Sequence, residues 1–403
     1  MKARIHPSVA YGRITAPTSK SVAHRLLISA ALANGKSVIS GVTRSEDVLA
    51  TVDCLSSLGA TIESEGDTFT VYGTDMTSTA PSGVLYCRES GSTLRFIIPI
   101  ASLSGAKVTI AGATKLMSRP LGIYEKLFRE RELLIERIGD LLFVDGPLPS
   151  GEYEIDGNVS SQFISGLLFA LPLKKSDSTI RIVPPFASRS YVDLTLDALK
   201  TFGINAYFEN ELTIKIPGNQ KYSTTSTSVE GDYSGSAFLE ALNLFGSSVE
   251  VLGLNENSKQ GDRVYRELYN LLLEGSPTID LENCPDLAPI LFTVAADNNG
   301  AVFTSTSRLK IKESDRAEVM ATELRKFGAD IEVLDDSVII KKAPLHAPTE
   351  ELSAHNDHRV VMSLAVLSTK YGGTISGSEA VSKSYPDFFK DIKAVGIEAD
   401  LYD

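Results

Sequence analysis

Four cations stand where cations are unexpected. Lys20, Arg25, Arg95 and Arg359 lie beside stretches that read as starts of apolar helices. Those starts carry small polar residues: Ser19-Lys20-Ser21, Ser90-Gly91-Ser92, Ser160-Ser161-Gln162, Asp232 to Ser236, Asp286, and Asn356-Asp357. Ser, Asp and Asn cap helices, and capping alone accounts for any one of these sites. It does not account for the cations, which have the wrong sign for the positive end of a helix dipole. A bound anion reverses that cost, because helix N-termini together with Lys or Arg hold phosphate and carboxylate. The chemistry this pattern fits is recognition of small anions.

A second cluster is RLKIKESDR, with Arg308, Lys310, Lys312, Glu313, Asp315 and Arg316 in one short stretch. Its plain reading is a solvated charge run at a helix start, with Glu313 and Asp315 complementing the dipole. Other motifs fall away. Gly35-Lys36-Ser37 resembles the tail of a phosphate loop, but Ala30 occupies the place of the required glycine, and the segment lies between helix and strand in the wrong order. There is no GxGxxG, GxSxG or HExxH. His355 and His358 form the only close histidine pair, and with no third ligand in view capping or hydrogen bonding suits them better than a metal.

The elements that must position these groups come from an internal repeat. An apolar helix-length segment, a turn and a short β-branched strand recur from His24, Leu94, Gln162, Ser236, Leu287 and Arg359. The spacing, roughly 50–75 residues, leaves room for a full supersecondary unit per copy. A more polar second helix ends at Gly59, Gly203 and Gly328, with a weaker echo at Gly396. Helices apolar nearly all round belong inside, and amphipathic ones outside with the sheets. The expectation is an α/β fold of two three-unit domains, residues 19–231 and residues 1–18 plus 232–403, with chain crossings near Pro17–Lys20 and Gly231–Asp232. The segments Arg119–Asp156 and Arg263–Asp286 look trimmed.

Composition bounds the function. The chain has 403 residues, 43% hydrophobic and 22% charged, which is an ordinary globular balance. A formal charge of −12 disfavours nucleic acid as a partner. No apolar run approaches the ~20 residues that span a bilayer, and no secretory signal opens the chain. Cys54, Cys87 and Cys284 are scattered and odd in number, as expected of a reducing cytoplasm.

Taken in order, PTSKSVAHR from Pro17, ESGSTLRF from Glu89, SRPLG from Ser118, VSSQF from Val159, SYVDLTLDALKTFG from Ser190, QGD from Gln260, KIKESDR from Lys310, ELRKFGA from Glu323, NDHR from Asn356 and KSYPDFF from Lys383 resemble the 5-enolpyruvylshikimate-3-phosphate synthase family of enolpyruvyl transferases. The matches run the length of the chain, and their ordered set is what is specific. The resemblance implies three βαβαββ-like repeats per domain, an inside-out α/β barrel, with the active site in the interdomain cleft. It implies transfer of the enolpyruvyl group of phosphoenolpyruvate to the 5-hydroxyl of shikimate 3-phosphate, a step of aromatic amino-acid biosynthesis and the target of glyphosate. By the same resemblance, shikimate 3-phosphate binds Lys20, Ser21, Arg25, Ser160, Ser161, Gln162, Ser188, Tyr191, Asp286 and Lys312. Phosphoenolpyruvate meets Lys20, Gly91, Arg119, Gln162, Arg316, Arg359 and Lys383. Asp286 and Glu313 are the implied acid/base pair; either Glu313 or Lys20 supplies the methylene proton. No metal or organic cofactor is implied. A cytoplasmic monomer without nucleic-acid or membrane partners is expected. One departure stands out: the family's Asn-Trp-Arg is replaced by Arg308-Leu309-Lys310.

These residue types suit that reaction. Three anionic groups in a closed site need several cations; arginine forks match carboxylate and phosphate, and lysines supply point charge. The enol methylene gains a proton, the alcohol loses one, and a tetrahedral adduct then expels phosphate. Two carboxylates in unlike environments can divide those roles. Two relatives of the fold compete. The transferase acting on UDP-N-acetylglucosamine places a cysteine in the loop that here reads GATKLMSRP, Gly112–Pro120, which has none. RNA 3′-phosphate cyclases would want a basic groove.

Overall fold

The apolar segments become helices because their Leu, Ile, Phe and Ala recur too densely to leave a solvent face. A computed structural model describes residues 1–403. It divides into two compact units, Lys20–Glu230 and Met1–Ser19 with Gly231–Asp403.

In the unit Lys20–Glu230, three inner helices alternate with more polar outer ones. They are α1 (Lys20–Leu32), α2 (Glu46–Ser57), α3 (Gly91–Ala101), the single turn α4 (Thr114–Met117), α5 (Gly122–Arg129), α6 (Ser161–Ala170) and α7 (Arg189–Thr201). From Ala23 to Leu32 every residue of α1 is buried, and α3 and α6 are buried almost as completely. Each large apolar side chain so removed from water contributes about 1.5–3 kcal/mol. The outer helices bury one stripe and end on a left-handed glycine, Gly59 after α2 (φ 106°) and Gly203 after α7 (φ 77°).

Each inner–outer pair is covered by a four-stranded sheet whose first two strands are parallel. One sheet pairs Glu152–Asp156 with Ser178–Val183, followed by the antiparallel strands Thr213–Ile216 and Tyr207–Asn210. A second runs Val84–Tyr86, Val108–Ala111, Leu141–Val144, Ile135–Ile138. The third begins on Ser226–Ser228, from the far end of the unit, beside Gly35–Ser40. The stretch Arg119–Asp156 therefore keeps both hairpin strands; only its outer helix is short, at 8 residues.

The other unit carries α8 (Tyr233–Ala241), α9 (Tyr265–Glu274), α10 (Ala288–Asp297), α11 (Arg316–Arg325), α12 (His358–Tyr371) and α13 (Phe388–Ala394). Here α8, α10 and α12 are the buried helices. The chain start completes two of its sheets. Lys2–Ile5 lies between Gly373–Ser376 and Ala399–Tyr402, and Tyr11–Thr15 runs parallel to Ser248–Leu252. That last sheet has only two strands, because the chain passes from α9 straight to Thr278–Asp280. The trimming expected in Arg263–Asp286 is thus the loss of an entire hairpin. No helix is long and apolar enough to cross a membrane.

Candidate active site

In the unit Lys20–Glu230 the polar helix starts are tied in pairs, α3 to α6 and α1 to α7. Ser90 caps α3 by accepting from Thr93 N, and Ser160 caps α6 by accepting from Gln162 N. The Arg95 guanidinium donates to Gln162 Oε1 at 2.7 Å, and Gln162 Nε2 donates to Ser92 Oγ at 2.9 Å. Arg25, buried under Phe96, donates to Ser21 O at 2.7 Å, Tyr191 O at 2.9 Å and Thr195 Oγ1 at 2.8 Å. Burial pulls its affinity for the proton down to about 10, so it stays charged at neutral pH. Arg25 fixes the start of α1 against the start of α7, where Ser188 is buried in the left-handed region at φ 58°. Ser161 is buried at the first position of α6, and Ser21 is partly exposed.

Two details escaped sequence reasoning. Lys20 Nζ is held by Asp47 at 2.7 Å. Asp47 follows the Ser45 cap of α2 and reads as an ordinary acidic first turn, so nothing local marks it. The Arg119 guanidinium lies directly over Gly91: a Cβ there would meet Nη1 at 2.6 Å, so only glycine admits this approach.

In the other unit the charged groups converge on Asp286. Its Oδ1 accepts from Arg316 Nη1 at 2.7 Å and Lys312 Nζ at 3.2 Å, and its Oδ2 accepts from Arg359 Nη2 at 3.0 Å. Arg316, 1% exposed, also reaches Glu313 Oε2 at 2.7 Å and Asp357 Oδ2 at 2.9 Å. Burial alone would raise the Asp286 pKa, but Arg359, Lys312 and Arg316 outweigh it and hold the carboxylate well below the usual range. Burial works against charge on Arg316 too, and Asp357, Glu313 and Asp286 more than restore it. Lys312 is shifted down, by burial first and with Asp286 pulling the other way. Lys383 Nζ donates to Asn356 O at 2.7 Å.

Two sequence expectations change, and a third holds with an added role. Asp286 does not cap α10: it sits in the turn Pro285–Leu287, and its side chain goes to the cations. The charge run is solvated at Lys310 but not as a whole, since Arg316 is buried and Lys312 and Glu313 are partly so. Asp357, read as a cap, does cap α12 through Arg359 N but also carries the ion pair to Arg316. Of the two histidines, His355 bonds Glu323 Oε1 at 2.9 Å.

The EPSP synthase family model, described as 3-phosphoshikimate 1-carboxyvinyltransferase, matches residues 6–392. The chain belongs to this family. Curated relatives agree: 3-phosphoshikimate 1-carboxyvinyltransferase of Clostridium perfringens is 40% identical over 98% of both chains. The enzyme of the same name from Clostridium novyi is 41% identical over 98% of this chain and 97% of its own. Among solved structures, EPSP synthase of Acinetobacter baumannii superposes with a TM-score of 0.80 at 25% identity, covering 99% of this chain and 100% of its own. The activity is that of the family, carboxyvinyl transfer to 3-phosphoshikimate. The acetylglucosamine transferase and cyclase readings are not favoured.

Proposed function

We propose that Asp286 takes the proton of the attacking 5-hydroxyl of shikimate 3-phosphate and that Glu313 exchanges the proton at the methylene carbon of phosphoenolpyruvate, with Lys20 sharing the donation. The observation that carries this is one carboxylate, Asp286, held among Lys312, Arg316 and Arg359, with a second, Glu313, on the same guanidinium. With all three cations directed at it, Asp286 is too weak a base, because they stabilise its charge. A phosphate or carboxylate arriving on Arg316 and Arg359 shares those cations, and Asp286 gains basicity when its substrate is bound. The carboxylate pair thus acts only in the complex. The tetrahedral adduct then loses phosphate, whose charge the same cations receive.

The domain division at 19–231, with shikimate 3-phosphate on that side and the acid/base groups on the other, belongs to this proposal. So do the anion-binding roles of Ser21, Arg25, Arg119, Ser160, Ser161, Gln162, Ser188, Tyr191 and Lys383. Arg25 spends three donors inside the protein, so its contact with substrate uses its remaining N–H groups. The cysteines are all free and buried, which supports a reducing, cytoplasmic setting. A monomer is proposed, to be checked by sedimentation.

Glu313→Gln is expected to lower kcat by about 10²-fold or more with KM little changed, as loss of a transition-state role should. Phosphate release with both substrates measures it, and a near-normal rate would return Glu313 to a packing role. Gly91→Ala is expected to displace the Arg119 guanidinium. The clash falls on the far end of a flexible side chain, so the fold survives. KM for phosphoenolpyruvate should rise roughly tenfold and glyphosate should inhibit less. Unchanged values for both would remove Gly91 and Arg119 from the anion site.

A further inference from the structure

One buried carboxyl near this cluster has no part in the scheme so far. Asp262 lies in the turn Gly261–Val264 ahead of α9 and is 2% exposed. Its Oδ2 accepts a hydrogen bond from the Ser234 hydroxyl, and its Oδ1 is buried with no hydrogen-bond partner. Its neighbours fasten the same turn to the start of α8: Gln260 Nε2 donates to Gly231 O at 2.8 Å, and Gln260 Oε1 accepts from Tyr233 N at 3.0 Å. The carboxyl is therefore held in place rather than free to swing to solvent.

Of the charged groups around it, two carry its own sign and one the opposite. Asp286 and Cys284 face it from the segment before α10, Asp232 and Ser234 from the start of α8, and Arg359 from α12. The cation that acts on it most is Arg359, and that guanidinium already serves Asp286. A buried carboxylate with one hydroxyl donor and no cation of its own is unfavourable when ionised.

The geometry points to Asp262 as a positioning residue that carries its proton in the resting enzyme and thereby keeps Arg359 available for the anionic substrate. This rests on the reading of Asp286 and Arg359 as substrate-facing groups. The charge count explains the consequence. Lys312, Arg316 and Arg359 balance Asp286, Glu313 and Asp357, three against three. Ionised Asp262 would tip this set negative and compete for Arg359. Burial first, then the charge of Asp286, raises its pKa to about 7, so the change falls within the working pH range.

The test is the pH dependence of KM for phosphoenolpyruvate in the wild type, Asp262→Asn and Ser234→Ala. In the wild type KM should rise about tenfold between roughly pH 7 and pH 9 as Asp262 ionises. Asn mimics the protonated acid, so Asp262→Asn should match the wild type below about pH 7 and stay flat above it. Ser234→Ala removes the donor that stabilises the ionised form, so its alkaline limb should move to higher pH. An unmoved limb in Asp262→Asn, or a KM raised by one factor at every pH, overturns the inference. Should Asp262→Asn fail to fold, an unshifted limb in Ser234→Ala overturns it. Arg359→Gln should raise KM at every pH; unchanged KM there sinks the site reading itself, whereas a raised KM with an unmoved limb in Asp262→Asn sinks the Asp262 inference alone.

Discussion

Asp286→Asn should lower kcat by about 10²-fold or more while the protein still folds. The amide cannot accept the hydroxyl proton, but it keeps an oxygen for one of the three cations. Lys312, Arg316 and Arg359 would then hold less compensating charge, so anions should bind no more weakly and KM should not rise. A fall in kcat without a rise in KM separates lost base catalysis from lost binding. A large rise in KM with kcat kept would mean that Asp286 only organises the cations. The sign follows from the depressed pKa: the carboxylate is ionised across the neutral range, so its removal changes charge at every working pH.

The largest effect on stability should come from Arg316→Ala. Arg316 is 1% exposed and serves Asp286, Glu313 and Asp357, the last of which is fully buried. Removing the guanidinium strands a buried carboxylate, a loss of about 3–5 kcal/mol, and activity should vanish with it. The urea midpoint measures the first effect. A shift of under about 1 kcal/mol would show that the pair is solvated enough to be worth little. The pH dependence has a definite sign. Burial tends to raise the Asp357 pKa, and Arg316 overrides it, leaving the pKa depressed. Its stabilisation is therefore present above the ordinary aspartate range, about pH 4, and is lost as pH falls through the lowered folded value. Arg316→Ala should lack that share of acid sensitivity.

Much of this was legible in the residues themselves. The inner helices announce themselves by apolar density and the outer ones by a polar face and a terminal glycine. Ser90, Ser160, Asp232 and Asp357 cap as their types suggest. What was not legible is long-range. Lys20 meets Asp47, and Arg316 meets both Asp286 and Asp357, across separations that no local period encodes. Asp286 looked like a cap because Asp before an apolar run usually is one; here the turn Pro285–Leu287 intervenes and frees the side chain for ion pairing. The strands Leu352–Ser353 and Ser226–Ser228 are too short to show alternation, and the partner of the second, Gly35–Ser40, lies far back in the chain. Burial of Asp262 was equally hidden, since QGD has the composition of an exposed turn.

The division of labour between Asp286 and Glu313 is the central claim, and solvent hydrogen exchange tests it most directly. With shikimate 3-phosphate and phosphoenolpyruvate in deuterated water, protonation of the methylene makes a methyl group whose hydrogens become equivalent, and elimination then leaves deuterium in the enolpyruvyl group. The wild type should incorporate deuterium during turnover. Glu313→Gln should lose incorporation in step with its lost turnover, and Asp286→Asn, which forms the adduct about 10²-fold or more slowly, should incorporate correspondingly less. Incorporation at the wild-type rate in Glu313→Gln would contradict the account, because the proton would then reach that carbon from another group.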